Sequence, residues 1–178
     1  NLWSEKEYGD FVLMIDWRLK RTTGHYNVPI VLSNGTHLQD AAGKDITIPL
    51  PNADSGIYLR GVGKSQVNIW CWPIGSGEVY GYRMNKKLPP AVRAGVTPRV
   101  NADKPVGEWN TFIIVMVGDR LTVLNNGQTV LENAQLPGVP ARGRFSLQHH
   151  GGLRDGKYSP ASSLVQFRNI YIKELDAK

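Results

Sequence analysis

Cysteine is almost absent from this chain: Cys71 is the single thiol among 178 residues. One cysteine cannot form an internal disulfide, and it cannot assemble a cysteine-based metal cluster. Long apolar runs are absent as well, since no stretch of the sequence approaches the roughly 20 residues that a transmembrane helix requires. The sequence therefore predicts neither a disulfide scaffold nor a membrane span.

Acidic residues are in the minority, with 15 Asp and Glu against 21 Lys and Arg, for a formal net charge of +6. The basic residues are scattered, and the densest clusters are "LKR" at 19–21 and "NKK" at 85–87. No basic helix, zinc-knuckle spacing or nucleic-acid motif accompanies them. The pattern favours a solvated surface of mixed charge, and no nucleic-acid partner is expected.

A signal peptide is not visible, and "NLWSEKEYGDF" begins almost inside a strand. We interpret this start as that of a mature or trimmed chain that lacks an N-terminal lead-in. A length of 178 residues suits one domain with a sizeable core. Residues 1–178 are therefore predicted to form a single domain.

Helical periodicity is also scarce, and no convincing amphipathic helix stands out. The chain instead combines 19 glycines and 11 prolines with short alternating runs. "VGDR" (117–120) and "NNGQ" (125–128) are typical of hairpin turns between β-branched runs. The fold class is predicted to be all-β, either a sandwich of two antiparallel sheets or a jelly roll. In the first long run, "DFVLMIDWRL", one face holds the apolar side chains Phe11, Leu13, Ile15, Trp17 and Leu19.

Three segments depart from simple alternation. In "LVQFRNIYIKEL" a bulge is predicted between Phe167 and Ile170, because strict alternation cannot place both on one face. Residues 20–54 hold weak strand material among turns, and residues 83–107 are expected to form a long surface excursion. Loops of that length in a compact domain are usually functional or mobile.

The side chains predicted to face away from the core are unusual for a solvated sheet. Aromatic rings stack on the apolar face of a pyranose, while amides and guanidinium groups hydrogen-bond its hydroxyls, so this face suits a sugar. The alternative is that a loop covers the face and its aromatics form a second small core. The outward set is Tyr58, Arg60, Gln66, Asn68, Trp70 and Trp72, and strand phase adds Gln148 and His150.

Several stretches together resemble the 3-keto-disaccharide hydrolase domain family. They are "LWSEKEYGDFVLMIDWRL", "DSGIYLRG", "GSGEVYGYR", "GEWNTFIIVMVGDRLTVLNNGQTV", "SLQHHGG" and "VQFRNIYIKEL", in that order. The resemblance implies a concanavalin-like jelly roll with a carbohydrate site on one sheet. It also implies a bacterial protein that is secreted or lies in the periplasm or cell envelope.

The resemblance further implies cleavage of glycosides whose ring carries a ketone at position 3. That ketone acidifies the neighbouring hydrogen, so a general base can form an enolate, the aglycone is eliminated, and water then adds. Such a site needs a base, an acid for the leaving group, and an electrophile or metal for the enolate. A divalent metal is left open as a cofactor.

The sequence departs from the family pattern at four positions. Gln66 and Asn68 stand where the family commonly has glutamate and glutamine, His149 where it has aspartate, and Asp54 where it has asparagine. Because of these replacements, the sequence is compatible with three different functions. The chain is expected to be an enzyme, a non-catalytic carbohydrate-binding module, or a structural domain whose outer face a partner covers.

Two residues are predicted to be catalytic. His150 is expected as a general base or metal ligand, against a structural role beside the Gly-Gly turn. Glu78 is expected to supply acid or base, against a role as a solvated loop carboxylate. His149 is expected to point toward the core. The predicted substrate-binding residues are Tyr58, Arg60, Gln66, Asn68, Trp70, Tyr80, Gln148 and Arg168.

Overall fold

The computed structural model describes residues 1–175, with the side chain of Arg154 outside that description. Within this range the chain is almost entirely β. Two short α-helices, α1 (Tyr80–Arg83) and α2 (Pro90–Gly95), and one 3₁₀ turn (Gly63–Ser65) interrupt the strands. The strands are β1 (Leu2–Trp3), β2 (Phe11–Thr22), β3 (His25–Pro29), β4 (Thr47–Pro51), β5 (Asp54–Tyr58), β6 (Gln66–Trp70), β7 (Asn110–Val117), β8 (Arg120–Asn125), β9 (Gln128–Gln135), β10 (Ser146–Leu147), β11 (Gly152–Arg154), β12 (Lys157–Ser159) and β13 (Ser163–Glu174).

Two antiparallel sheets form the sandwich. One sheet has four strands in the order β1-β10-β5-β6, and the other has five in the order β13-β2-β7-β8-β9. The predicted all-β sandwich is confirmed. The hairpins β3–β4 and β11–β12 are separate two-stranded ribbons outside the main sheets.

Alternation along the long strands builds the core. In β2 every second residue from Phe11 to Leu19 is buried, as the sequence predicts. Leu13 lies opposite Ile114 on β7, so buried side chains meet across the pairing. The opposing sheet contributes Ile57, Val67 and Ile69, also fully buried. The core therefore lies between the two sheets and leaves their outer faces for other uses.

The turn chemistry in the sequence is realised at both predicted hairpins. β7 ends at Val117 and β8 begins at Arg120, while β8 ends at Asn125 and β9 begins at Gln128. The positive φ of 51° at Asn126 and 82° at Gly127 matches a type I′ turn, which suits the twist of the flanking strands. The pairing of β13 with β2 shifts register between Arg168 and Tyr171, so the predicted bulge is confirmed.

The segment at residues 20–54 folds back over the sandwich. Its hairpin β3–β4 supplies Tyr26, Val28 and Leu50 to a second apolar cluster, which also holds Trp70 and Trp72. Those two indoles are only 5% and 8% exposed. Part of the outer face of the four-stranded sheet is therefore covered, as one of the two alternatives anticipated.

The predicted surface excursion at residues 83–107 is more ordered than expected, because it contains α2. Pro90 begins this helix, where a missing N–H costs nothing because the first helical N–H groups have no intrahelical partner. Both helices are too short for the amphipathic periodicity that reveals helices in sequence. No helix in the described part of the chain has the length and apolar character to cross a membrane.

Cys71 is half-buried in the core cluster, and this placement generates a testable prediction. Burial, followed by the nearby carboxylate of Asp103, raises the pKa of the thiol from 9.0 to about 11. At pH 8 the thiolate fraction is then about 100-fold below that of an ordinary thiol, and iodoacetamide should label the folded protein about 100-fold more slowly than the urea-unfolded chain. Mass spectrometry of timed samples measures both rates, and equal rates would contradict the buried placement.

Candidate functional site

A cleft of about 370 Å³ opens on the outer face of the four-stranded sheet. Strands β5 and β6 form its floor, the residues after β10 form one side, and α1 forms another. The lining residues are Tyr26, Asp54, Gly63, Gln66, Asn68, Trp70, Trp72, Tyr80, Gly81, Gln148 and His150. We call this feature the cleft.

Strand register places the polar floor. Tyr58 pairs with Gln66 and Asp54 pairs with Trp70, so these four side chains share the face opposite the core. Between them lies Gly56, opposite Asn68. A Cβ on Gly56 would lie 2.3 Å from Nε2 of Gln66, so glycine is required for the Gln66 side chain to lie flat across the floor.

Two glutamine amides join across the floor of the cleft. Gln66 Nε2 donates to Gln148 Oε1 and, at 3.1 Å, to the carbonyl oxygen of Ser55. Gln148 Nε2 in turn donates to the Tyr58 hydroxyl at 2.6 Å. Burial raises the pKa of the Tyr58 phenol, so the hydroxyl remains protonated and able to donate. The network holds both amides in fixed orientations beside the cleft.

Asn68 lies beside this network and is 5% exposed. Its Oδ1 accepts no hydrogen bond from the described residues. A buried acceptor without a donor costs free energy, and such groups are found where a ligand or water satisfies them. Asn68 lines the cleft, but this Oδ1 is itself buried beneath the surface of the cleft.

His150 and Asp54 contact each other through their side chains at the rim of the cleft. Nε2 of His150 lies 3.1 Å from Oδ2 of Asp54, and the two side chains are 37% and 44% exposed. A carboxylate beside an imidazole orients the ring and stabilises its protonated form. The pair thus has the arrangement of a general base with an orienting group, and both members remain accessible to a ligand.

The aromatic residues of the cleft have two different environments. Trp70 and Trp72 stack on each other with ring centroids 4.1 Å apart, and Tyr80 meets both edge-on. The sequence predicted Trp70 as an open stacking surface, but its ring is buried, and its Nε1 donates to the carbonyl oxygen of Gly75. Tyr80 is 41% exposed and presents the accessible ring.

Glu78 does not lie at the cleft, and the catalytic role predicted for it conflicts with its position. Its carboxylate is fully buried in an ion pair with Arg83, which is equally buried. Arg83 Nη1 also donates to Nε2 of His37 at 3.0 Å, and His37 Nδ1 faces Asp45 Oδ2 at 2.6 Å. Because a guanidinium only donates, Nε2 of His37 accepts and Nδ1 carries the proton. Glu78 therefore anchors the 20–54 segment to α1.

Arg60 is likewise not in the cleft. It is 2% exposed, and it donates to Asp10 and to the carbonyl oxygens of Gly9, Gly118 and Pro140. Its backbone takes a positive φ of 51°, which turns the chain out of β5 and sends the side chain between loops. The alternation argument failed for this residue because the strand ends at Tyr58.

Arg168 lies on the opposite side of the molecule. Its guanidinium pairs with Asp16 at 3.2 Å and lies 3.9 Å from the ring centroid of Trp109. Asp16 alternates with the buried residues of β2, so this cluster is on the outer face of the five-stranded sheet. The predicted contact between Arg168 and a ligand in the cleft is therefore wrong, since the core separates the two.

His149 does not point toward the core as strand phase predicted. It is exposed, and its Nδ1 lies 3.1 Å from the carbonyl oxygen of Gly151. β10 ends at Leu147, so alternation no longer applies two residues later. Gln148 and His150 nevertheless both line the cleft.

Sequence reasoning missed two contributors to the cleft. Tyr26 comes from the 20–54 segment, and its hydroxyl accepts a hydrogen bond from Trp72 Nε1 at 2.6 Å. The sequence identified Asp54 as a departure from the family pattern, but not as the partner of His150. Its position opposite Trp70 in the outward set was the available signal.

The residues present do not form a metal centre. No group of three or more His, Cys, Asp or Glu side chains within the described range lies close enough to hold an ion. At the cleft the candidate ligands are His150 and Asp54, which bind each other. We therefore derive no step through a metal.

The family model of the 3-keto-alpha-glucoside-1,2-lyase-like domain matches residues 1–173. The chain belongs to this family. The match extends over both sheets and all residues of the cleft.

Solved structures share the fold at low sequence identity. Two are Parabacteroides distasonis proteins described as glycosyl hydrolases. The first has a TM-score of 0.57 at 19% identity, covering 97% of this chain and 67% of that chain. The second has a TM-score of 0.53 at 20% identity, covering 97% and 82%. The carbohydrate-binding module CBM66 of Bacillus subtilis has a TM-score of 0.53 at 12% identity, covering 97% and 80%. No match was found among curated proteins.

The buried ion pair yields a stability prediction. Glu78→Gln leaves the buried Arg83 without its carboxylate, so the free energy of unfolding should fall by about 3–5 kcal/mol. Urea denaturation measures the change. Glu132→Gln is the control, because that carboxylate pairs with Arg99 at the surface with both side chains 61% exposed. Equal midpoints for the two variants would show that Glu78 is not an anchor.

Proposed function

We propose that the cleft binds a sugar ring and that the chain cleaves 3-keto-glycosides by elimination followed by hydration. Family membership supports the substrate class, and the polar floor of the cleft supports binding of hydroxyl groups. The observation that carries the catalytic part is the pairing of His150 with Asp54 at the rim. This pair supplies an accessible general base, which the reaction implied by the family resemblance requires.

The chemistry is a proton transfer followed by loss of the aglycone. Neutral His150 removes the hydrogen from carbon 2, and the electron pair of that C–H bond forms the enolate of the 3-ketone. Collapse of the enolate breaks the bond between carbon 1 and the glycosidic oxygen, which leaves as the aglycone. Water then adds to carbon 1, and carbon 2 regains a proton, which completes a net hydrolysis.

Protein groups other than His150 stabilise the charges that develop. Asp54 stabilises the imidazolium after proton transfer. Gln148 lines the cleft, and the second N–H of its amide, beyond the one donated to Tyr58, is the donor for an enolate oxygen. Because Glu78 is buried elsewhere, the imidazolium of His150 protonates the leaving oxygen.

The direct test is incubation with 4-nitrophenyl 3-keto-β-glucoside, with and without added divalent metal. Release of nitrophenol is followed by its absorbance. A substrate deuterated at carbon 2 should react several-fold more slowly if breaking that bond limits the rate. Release without any isotope effect or exchange at carbon 2 would contradict elimination.

Single and double variants test the roles of the pair. His150→Ala should lower kcat/KM by about 10²- to 10⁴-fold, the usual contribution of a positioned base. Asp54→Asn should lower it by about tenfold on its own, and by nothing further in the His150→Ala background, since Asp54 acts through His150. His149→Ala is the matched control, an adjacent exposed histidine outside the cleft. Unchanged turnover in His150→Ala would remove that residue from the mechanism.

A non-catalytic carbohydrate-binding module is the second candidate. It is favoured by the scarcity of carboxylates, since Asp54 is the one Asp or Glu among the residues that line the cleft. The fold likeness to a carbohydrate-binding module fits this function as well. Calorimetric binding of a glucoside, without release of the aglycone from its 3-keto form, would establish the module and overturn the enzyme.

A further inference from the structure

A cavity of about 500 Å³ opens between the 20–54 segment and the helical part of the chain. Its walls come from residues between 35 and 45 on one side and from residues between 83 and 93 on the other. Its volume lies in the range of roughly 300–1,000 Å³ that is usual for ligand sites. No residue lines both this cavity and the cleft, so a ligand here does not compete with one in the cleft. We call this feature the basic cavity.

Positive side chains outnumber negative ones around the basic cavity. Arg83, Lys86 and Arg93 line it, and Asp45 is the one carboxylate among the lining residues. Glu78 does not line the cavity, but it pairs with the buried Arg83 from behind. Even with Glu78 counted, three cations face two carboxylates, and one positive charge is left without a counterpart in this cluster.

The carboxylate of Asp45 is already engaged within the 20–54 segment. Its Oδ2 lies 2.6 Å from Nδ1 of His37, and its Oδ1 accepts from Nε2 of Gln39 at 3.0 Å. His37 itself adds no positive charge, because its Nε2 accepts the hydrogen bond from Arg83 and only Nδ1 carries a proton. Among the described residues, no carboxylate forms an ion pair with Lys86. Lys86 is therefore an exposed ammonium at the cavity that an anion can reach.

Arg93 is held in position at one end only. Its Nε donates to the carbonyl oxygen of Arg83 at 2.6 Å, which fixes a partly buried guanidinium beside the cavity. Its two terminal nitrogens, Nη1 and Nη2, donate to no acceptor among the described residues. A guanidinium presents its donors in a planar fork that matches two oxygens of a carboxylate, sulfate or phosphate. Arg93 therefore offers an oriented and unused set of donors for an oxyanion.

The two guanidinium groups at the basic cavity also repel each other. Burial lowers the pKa of Arg83 to about 10, and the charge of Arg93 contributes to the same shift. Like charges that lie close together disfavour each other's ionised form, whereas an opposite charge favours it. An anion in the basic cavity attracts both groups and so offsets their repulsion.

We propose that the basic cavity is a binding site for an oxyanion, which Arg93 and Lys86 contact while the buried Arg83 adds positive charge behind them. Free phosphate or sulfate has this chemistry, and so does a sugar that carries a phosphate group, for which the volume leaves room. The proposal goes beyond the sugar-cleaving function and does not depend on it.

Titration calorimetry of the full chain with inorganic phosphate tests the proposal, with ionic strength held constant by potassium chloride. Binding should be saturable, and the amide resonances of Thr36, His37 and Gln39 in the ¹H–¹⁵N spectrum should shift with the same dissociation constant. Parallel titrations with sulfate and with glucose 6-phosphate identify which form of the oxyanion binds most tightly. Absence of saturable binding by all three probes over the chloride background would overturn the proposal.

Two neighbouring lysines provide a matched pair of variants. Lys86 and Lys87 are both exposed, but only Lys86 lines the basic cavity. Lys86→Glu should weaken phosphate binding by roughly 2- to 30-fold, because it replaces a surface attraction with a repulsion of similar size. Lys87→Glu changes the net charge equally and should weaken binding by less than about twofold, because the charge lies in water outside the cavity. Equal losses in the two variants would reduce the effect to net charge and overturn the site.

Arg93→Gln tests the guanidinium directly. It should weaken phosphate binding by about 10- to 100-fold, the usual value of hydrogen bonds to a charged group. Arg93→Lys keeps the charge but loses the planar fork, so it should restore part of the affinity. His150→Ala should leave phosphate binding unchanged, which separates this site from the cleft. Undiminished binding in Arg93→Gln would overturn the proposal whatever the outcome for glycoside cleavage.

Discussion

The stacked pair of Trp70 and Trp72 on the outer face of the four-stranded sheet is the constraint on which the rest of the outer face depends. Two indoles left in water would expose a large apolar patch, so the β3–β4 hairpin packs over them and buries both. The cleft lies beside this cover, and Tyr26 of the hairpin lines it together with both indoles. The same two rings also line a second cavity, beyond the end of β6. One apolar contact thus determines where both cavities lie.

The cover is fixed in place by charge as well as by apolar contact. Glu78 forms a buried pair with Arg83, the last residue of α1, and Arg83 donates to His37 and to the carbonyl oxygen of Gly35 in the covering segment. Burial, with the neighbouring charge of Arg93, lowers the pKa of Arg83 to about 10, which remains high enough to keep it charged at neutral pH. The hydrogen bond from His37 lowers the pKa of Asp45, so the surface end of this chain of contacts also stays ionised. The covering segment is therefore held by a continuous set of polar contacts.

Sequence alternation predicted the core strands, both hairpins and the bulge in β13, because pleat and turn chemistry are local properties. It also grouped Gln66, Asn68 and Trp70 on one face. It failed for Arg60 and His149, which lie just past strand ends where alternation stops. Pairings between distant segments, such as Arg168 with Asp16 and Arg83 with His37, depend on tertiary contacts that no local pattern encodes. The two short α-helices were not predicted either, because so few residues show no recognisable helical periodicity in the sequence.

The residues of the cleft fit the proposed proton abstraction better than they fit conventional two-carboxylate glycoside hydrolysis. Two-carboxylate hydrolysis requires a pair of acidic side chains flanking the scissile bond, and among the residues lining the cleft only Asp54 is acidic. An elimination that starts from a 3-ketone needs fewer acidic side chains, because the ketone acidifies the hydrogen at carbon 2 and its oxygen takes up the negative charge. The proposed reaction then requires one oriented imidazole and one hydrogen-bond donor. The amides of Gln66 and Gln148, which are hydrogen-bonded to each other, are uncharged and so add no negative charge that would oppose an enolate. A carbohydrate-binding module would also have few charged groups in its site. Cleavage of the C–H bond at carbon 2 is therefore the property that distinguishes an enzyme from a binding module here.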